Sequence, residues 1–293
     1  MPLKYALFTL FVCFIWGVNF VVMKVGLAQL DPFLFGLSRF VIVLVFLLPW
    51  LKIVPGAMVK LFYLGMLIGG VQFALVFIGM DMTDHVSAMS VIVQMNVPIT
   101  LLLAHFILHE RMNYWRTGGV FIAFCGVIII TLEPDILEEG VVVLIILLAT
   151  TFYSIGVILL RKIKEVPVFQ TQAWVAFYSV PVFLCMTLYF EKGQIDQVMN
   201  LDMTGISMVL YTSLLSTIVG YGGVNFLLRR YPVTLISPFM VSVPIFATIS
   251  AVIFLNETLS VKFFIGSIVT LSGLGLIHFR DWQLKRKNKV LIA

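Results

Sequence analysis

Charged residues are scarce in this sequence. Only 11% of its 293 residues are Asp, Glu, Lys or Arg, against about 25% in a typical soluble domain. A chain with so few charges cannot cover a folded surface with polar groups in water. The composition therefore excludes a soluble enzyme, a nucleic-acid-binding domain and a disordered protein.

The sequence also lacks the familiar catalytic and metal-binding motifs. The three cysteines, Cys13, Cys125 and Cys185, lie in apolar stretches without the spacing of a disulfide framework or a metal site. There is no phosphate-binding Gly-Lys-Ser/Thr loop and no His-Glu-x-x-His motif. We therefore expect no cofactor, no metal site and no enzymatic activity, and an intramembrane or lipid-modifying enzyme is the least favoured alternative.

Long apolar runs are what the sequence has in abundance. Hydrophobic residues make up 61% of the chain, and its mean hydropathy is +1.10. A membrane-spanning helix needs about 20 apolar residues, and windows of about 19 residues locate such segments. They predict an all-α polytopic membrane protein with ten transmembrane helices, at 5–26, 32–51, 61–80, 86–108, 114–132, 141–160, 168–190, 205–228, 233–255 and 262–279.

The distribution of charge supports this helix count. With a cytoplasmic N-terminus, 15 of the 19 basic residues fall in segments on the cytoplasmic side, where Lys and Arg are enriched in membrane proteins. The opposite loops are acidic. An added or missing helix would mix the two sets, so we expect both termini in the cytoplasm, with a basic tail at 280–289 against the lipid headgroups. The 15 residues are Lys4, Lys52, Lys60, Arg111, Arg116, Arg161, Lys162, Lys164, Arg229, Arg230, Arg280, Lys285, Arg286, Lys287 and Lys289.

Two segments about 147 residues apart resemble each other. Met-Asn-Val-Pro-Ile at 95–99 corresponds to Val-Ser-Val-Pro-Ile at 241–245, and the Leu-His-Glu that ends at Glu110 corresponds to the Leu-Asn-Glu that ends at Glu257. Five helices per half invert the second half in the membrane, an architecture of secondary transporters. The sequence predicts two inverted five-helix repeats, at 1–135 and 136–293. Gly119 and Gly126 match Gly266 and Gly273 at the same separation of about 147 residues.

Several strings in the chain are similar to a known family. They are Trp-Gly-Val-Asn-Phe at 16–20, Arg39-Phe40, His-Glu-Arg at 109–111, Val-Gly-Tyr-Gly at 219–222 and Asn-Glu-Thr-Leu at 256–259. Together with the rest of the chain, they resemble the drug/metabolite transporter superfamily, and within it the EamA-type exporters, the group of the bacterial O-acetylserine/cysteine exporters. The resemblance implies ten helices in an inverted repeat and alternating-access export of small metabolites, often amino acids.

Polar residues inside the first-half spans are the candidates for substrate contact. Intramembrane polar groups usually face the bundle interior or a cavity, and Trp16 and Asn19 share a face of the first helix. Arg39, in the second helix, is suited to hold a carboxylate; snorkelling to the surface or pairing with Asp31 are alternatives. The set is completed by the amides Gln72 and Gln94.

The second-half candidates are aromatic rings with a polar atom. Tyr153 lies deep in the sixth span, Trp174 and Tyr178 are four residues apart in the seventh, and Tyr221 and Asn225 are four apart in the eighth. Apolar walls with a few polar groups are typical of small-molecule pockets. Packing within the bundle is the alternative for each of these residues.

The repeat-matched prolines Pro98 and Pro244 are candidate gating positions, because proline interrupts helical hydrogen bonding.

No span has a central carboxylate, so proton antiport, facilitated export and coupling through the substrate's own ionisation all remain open. Glu110 and Glu257, at matched span ends, are expected to brace the following helices; latches on opposite sides are the alternative.

Together with the resemblance, the sequence predicts a secondary transporter of the bacterial inner membrane that exports amino acids or their derivatives through a midplane cavity. Its expected partners are the small-molecule substrate and membrane lipids, without nucleic acid; the choice between monomer and homodimer stays open. An exporter of lipophilic drugs or dyes is the closest alternative.

Overall fold

The computed structural model describes residues 2–109, 112–161, 163, 166–231 and 233–290, with side chains up to 277 except those of 233, 234 and 237. It is an all-α bundle, as predicted. Within this described part, nine helices are long and apolar enough to cross a membrane, and Val261–Ile277 is a shorter apolar stretch.

Within the described ranges, ten helical spans follow one another, numbered here helix 1 to helix 10. Helices 3, 4, 8 and 9 each consist of consecutive segments. Their bounds are Leu3–Leu27 (helix 1), Pro32–Leu47 (2), Met58–Met82 (3), Val86–Val93 and Asn96–Leu108 (4), Tyr114–Thr131 (5), Gly140–Leu160 (6), Val168–Phe190 (7), Met203–Leu228 (8), Val233–Met240 and Val243–Leu255 (9), and Val261–Val290 (10). Two short helices that the sequence analysis did not predict, Pro134–Glu138 and Gln194–Met199, lie in the connections before helices 6 and 8.

The helices pack in pairs that the repeat relates. Helix 1 packs against helix 9, and helix 6 packs against helix 4; helix 2 packs against helix 7, and helix 5 against helix 10. Exchanging the first and second halves maps each of these contacts onto another or onto itself. This is the packing expected of two related halves, and it confirms the two-half architecture.

The interruptions of the helices also occur at matched positions. Helix 4 is broken at residues 94–95 and helix 9 at 241–242, in each case just before the matched proline. Helix 3 contains a π-helical segment at Gly65–Gln72, and helix 8 contains one at Tyr211–Tyr221. His109 and Asn256 both end their helices in the left-handed conformation, at φ 53° and 54°. The same local irregularities have thus been kept in both halves.

Glycines allow helices 5 and 10 to touch backbone to backbone. A Cβ built on Gly273 would lie 2.6 Å from the carbonyl oxygen of Gly119, and one on Gly126 would lie 2.6 Å from that of Gly266. No side chain fits at such distances, and small residues are typical of close helix contacts in membranes. The four repeat-matched glycines therefore form the crossing point of this pair.

The connections that follow helices 1, 3, 5, 7 and 9 lie at one end of the bundle, which we call the acidic face. The connections that follow helices 2, 4, 6 and 8 lie at the other end with the N-terminus, and we call this end the basic face. Carboxylates at the acidic face bind helix N-termini of the opposite half. Glu257 accepts hydrogen bonds from the backbone N–H and hydroxyl of Ser87, at 3.0 and 2.9 Å, where helix 4 begins. Glu191 accepts from the backbone N–H groups of Phe33 and Leu34, at 2.6 and 3.0 Å, where helix 2 begins.

These bonds correct one expectation. Glu257 was expected to brace helix 10, but it joins helix 4 of the other half, because Asn256 turns the chain back toward that helix end. The matching residue Glu110 lies outside the described residues. Burial raises the pKa of both Glu257 and Glu191, although the hydrogen bonds that each accepts act in the opposite direction.

Candidate substrate cavity

A cavity of about 350 Å³ lies near mid-depth between the two halves. Its volume is within the range of about 300–1,000 Å³ that is usual for small-molecule sites. Helices 1, 2, 3, 4, 6, 8, 9 and 10 contribute to its wall. The polar and aromatic-polar lining residues are Trp16, Asn19, Arg39, Gln72, Gln94, Asn96, Thr150, Tyr153, Ser216 and Tyr221; the apolar ones are Phe20, Met23, Phe73, Val76, Val93, Val97, Met240, Val241, Val243 and Leu274.

Arg39 is the charged residue of this wall and is only 2% exposed. Its Nη2 donates a hydrogen bond to Thr217 Oγ1 at 2.9 Å, and the Thr217 hydroxyl in turn donates to the carbonyl of Thr212. Its Nε and Nη1 have no hydrogen-bond partner. The guanidinium therefore keeps unused N–H donors in a buried site.

No carboxylate neutralises Arg39 among the described residues. Asp31, the alternative partner suggested by the sequence, accepts instead from Gln197 Nε2 at 2.7 Å. Snorkelling to the surface is also excluded by the burial of the side chain. An unpaired buried charge is costly, so this arrangement suits an anionic group that arrives from outside the protein.

Aromatic rings surround the guanidinium. Its carbon lies 4.1 Å from the ring centroid of Phe73 and 5.7 and 5.9 Å from those of Phe40 and Phe77. Cation–π contacts of this kind contribute about 2 kcal/mol or more when both groups are desolvated. They hold the charge in position without using its N–H donors.

Two amide oxygens in the same wall are unsatisfied. Asn19 Oδ1 and Gln72 Oε1 are buried and have no hydrogen-bond donor. The other unpartnered buried atoms in the described part of the chain are hydroxyls of Thr187, Thr212 and Ser267, outside the cavity wall. The amide and guanidinium atoms that lack partners are thus concentrated around one cavity.

The π-helical segment of helix 8 ties the two halves together beside the cavity. The indole N–H of Trp16 donates to the carbonyl of Ser216 at 2.9 Å, and the rings of Trp16 and Tyr221 meet edge to face, 5.3 Å between centroids. Thr217, the partner of Arg39, belongs to the same segment. Helices 1 and 2 of the first half are thereby anchored on an irregular stretch of the second.

The breaks in helices 4 and 9 also meet at the cavity. Gln94 Nε2 donates to the carbonyl of Met240 at 3.3 Å, across the two halves. The break lets both Gln94 and Asn96 reach the wall, although a continuous helix would place them on nearly opposite sides. Asn96, Thr150 and Ser216 are the polar lining residues that the sequence analysis missed.

Seven of the ten predicted site residues line the cavity: Trp16, Asn19, Arg39, Gln72, Gln94, Tyr153 and Tyr221. The other three lie elsewhere. Trp174 donates its indole N–H to the carbonyl of Lys52 at 2.9 Å near the basic face, and Tyr178 packs its ring against Phe62, 5.2 Å between centroids. Asn225 is one helical turn beyond Tyr221 and does not contribute to the wall.

Comparison with known proteins identifies the family. The model of the EamA-like transporter family matches residues 3–132 and again residues 140–279. The chain belongs to the EamA-like transporter family. The two matches divide it into its two halves, and membership of a family of transporters excludes the enzyme alternative.

Full-length relatives agree with this assignment. The chain is 28% identical to a "Probable amino-acid metabolite efflux pump" of Salmonella typhimurium, covering 99% of both chains, and 29% identical to a protein of the same name in Escherichia coli, covering 94% of both. An "Uncharacterized transporter" of Archaeoglobus fulgidus is 26% identical over 89% of this chain and 94% of its own. A solved crystal structure shares the fold, with a TM-score of 0.66 at 14% identity over 97% of this chain and 99% of that one.

Proposed function

We propose that this multi-pass membrane transporter exports amino acids or their derivatives through the midplane cavity. The observation that carries the proposal is the buried, unpaired guanidinium of Arg39 in the cavity wall. A carboxylate would satisfy its free N–H donors through charge-assisted hydrogen bonds. Relatives named as amino-acid metabolite efflux pumps support the same substrate class.

The orientation proposed for the chain follows its charges. The basic face, with Lys4, Lys52 and Lys60, is assigned to the cytoplasm of a bacterial cell, because Lys and Arg concentrate in cytoplasmic loops. The acidic face, with Asp31 and Glu257, then faces outward. Both termini lie in the cytoplasm under this assignment, and the direction of export is from the basic to the acidic face.

Alternating access in this proposal uses the broken helices. The outer segments of helices 4 and 9, Val86–Val93 and Val243–Leu255, pack against each other on the acidic-face side of the cavity. Opening toward that side requires them to separate. The breaks before Pro98 and Pro244 interrupt helical hydrogen bonding at cavity depth, so each outer segment can tilt while its inner segment stays in place.

The test uses purified protein in liposomes that are loaded with labelled amino acids and derivatives, with and without a pH gradient. We expect saturable release of one group of these compounds. Arg39→Gln should show no saturation over the substrate concentrations at which the wild type saturates. Arg229→Gln is the matched control, since Arg229 is exposed at the basic face. If every compound is released no faster than from loaded liposomes without the protein, the proposal is refuted and a lipophilic drug is favoured as cargo.

The pH gradient separates proton antiport from facilitated export, two of the three coupling modes that the sequence leaves open. Faster export when the interior is more alkaline than the outside indicates proton antiport. Equal rates with and without the gradient indicate facilitated export.

A further inference from the structure

We infer that the cavity recognises both ends of an α-amino acid zwitterion and selects against charged side chains. In this assignment Arg39 binds the carboxylate, while the amide oxygens of Asn19 and Gln72 accept N–H groups of the substrate ammonium. The inference rests on the proposed function and deepens it, since it states which chemical groups the substrate must carry.

The first step in the argument is the chemistry of the unpartnered atoms. Arg39 offers donors, whereas Asn19 Oδ1 and Gln72 Oε1 are acceptors without a donor. Asn19 is only 7% exposed, and a buried acceptor without a partner costs about 1–3 kcal/mol. A ligand that carries only a carboxylate leaves both acceptors unsatisfied, but an ammonium group supplies the missing N–H donors.

The second step is the charge of the wall. Among the described lining residues Arg39 is charged, and no Asp or Glu accompanies it. After one carboxylate pairs with Arg39, no cation remains for a second carboxylate and no anion is present for a side-chain ammonium. Because an unpaired charge is costly to bury, both acidic and basic side chains are disfavoured.

The third step is the surface left for the side chain of the substrate. Phe20, Met23, Phe73 and Val76 provide an apolar wall next to the polar atoms. An apolar or uncharged side chain gains from contact with this surface, at about 25 cal/mol per Å² of apolar area removed from water. The substrate class is therefore a monocarboxylic amino acid with an uncharged side chain.

The first test uses the wild-type protein and matched compounds. Export of a transported amino acid is measured in the presence of inhibitors. Two are truncated analogues, the des-amino acid (the carboxylic acid that lacks the ammonium group) and the decarboxylated amine. The others are two near-isosteric pairs, norleucine with lysine and glutamine with glutamate. We expect the intact amino acid to inhibit at least about tenfold better than either truncated analogue. Norleucine and glutamine should each inhibit better than their charged partner by a similar factor.

The second test assigns the two ends to residues. Asn19→Leu and Gln72→Met keep the side-chain volume but remove the acceptor. Each should weaken inhibition by the amino acid about tenfold and leave inhibition by its des-amino analogue almost unchanged. Arg39→Gln should weaken inhibition by every carboxylate but not inhibition by the decarboxylated amine. Gln170→Met is the control, because Gln170 donates to the carbonyl of Lys52 at the basic face.

The outcomes separate the inference from the proposed function. Export of amino acids with equal inhibition by the des-amino acid overturns the zwitterion assignment and leaves the exporter intact. Equal inhibition by lysine and norleucine overturns the charge selection. Absence of export for all amino acids instead refutes the proposed function. The wild-type comparison decides the assignment even where a variant fails to fold.

Discussion

The cavity and the acidic face both contain buried or half-buried polar side chains, but these side chains differ in what they bind. At the acidic face, Glu257 and Glu191 use both carboxylate oxygens on backbone N–H groups or a hydroxyl of the opposite half. In the cavity, Arg39, Asn19 and Gln72 retain atoms without a partner. The satisfied carboxylates join the two halves, whereas the unsatisfied guanidinium and amide atoms are the ones that we propose bind the substrate.

The largest effect expected from this comparison concerns Arg39. Arg39→Gln should weaken binding of a carboxylate substrate about 10- to 100-fold, since hydrogen bonds to a charged group contribute about 1.5–3 kcal/mol. The melting temperature without substrate should change little, because losing the hydrogen bond to Thr217 and the cation–π contact with Phe73 is offset by removing an unpaired buried charge. Isothermal titration and thermal unfolding of the same preparation measure the two effects.

Glu257 should show the opposite pattern. Glu257→Ala leaves the backbone N–H and the hydroxyl of Ser87, at the start of helix 4, without their acceptor, and loss of such a cap costs about 0.5–2 kcal/mol. A lower melting temperature with unchanged substrate affinity is expected in detergent. A large loss of affinity at unchanged stability would contradict the distinction between the two regions.

The two tryptophans sharpen the comparison within one residue type. Trp16→Phe removes the hydrogen bond to Ser216 beside the cavity, and Trp174→Phe removes the one to Lys52 near the basic face. We expect a several-fold rise in the transport KM for Trp16→Phe and no change for Trp174→Phe. Equal effects of both changes would mean that cavity lining does not predict substrate contact.

The smallest effect is the pH dependence of stability at the acidic face. Burial raises the pKa of Glu257, so the folded protein binds this proton at a higher pH than the unfolded chain. Acidification through that range therefore stabilises the wild type relative to Glu257→Gln, which has no proton to bind. His85 favours the charged form and Glu139 disfavours it. The difference in melting temperature between the two proteins should change in this direction as the pH falls from neutral toward the ordinary pKa of Glu, about 4.3.

Much of the fold was accessible from the sequence because the membrane imposes simple rules. Span length, the separation of Lys4 and Lys52 from Asp31, and the matched prolines gave ten spans and two halves. The short helices Pro134–Glu138 and Gln194–Met199 were missed, since they lie in polar connections without a long apolar run.

The cavity was predicted in part. Arg39 and Asn19 were found because intramembrane polar groups are rare and seek the interior. Asn96 and Ser216 were missed, because a break in helix 4 and a π-helical segment in helix 8 change which residues face inward. In the sequence Trp174 cannot be distinguished from a cavity aromatic, because both are aromatic residues with a polar atom inside a span. Only the fold shows that its indole N–H binds the carbonyl of Lys52.

The most direct test of the central claim is a thermal-shift titration of three proteins with one transported amino acid: the wild type, Arg39→Gln and Glu257→Ala. A ligand that binds the folded state raises stability by RT ln(1 + [L]/Kd). The account predicts a saturable shift for the wild type, the same shift from a lower starting temperature for Glu257→Ala, and almost none for Arg39→Gln. An undiminished shift in Arg39→Gln would contradict it.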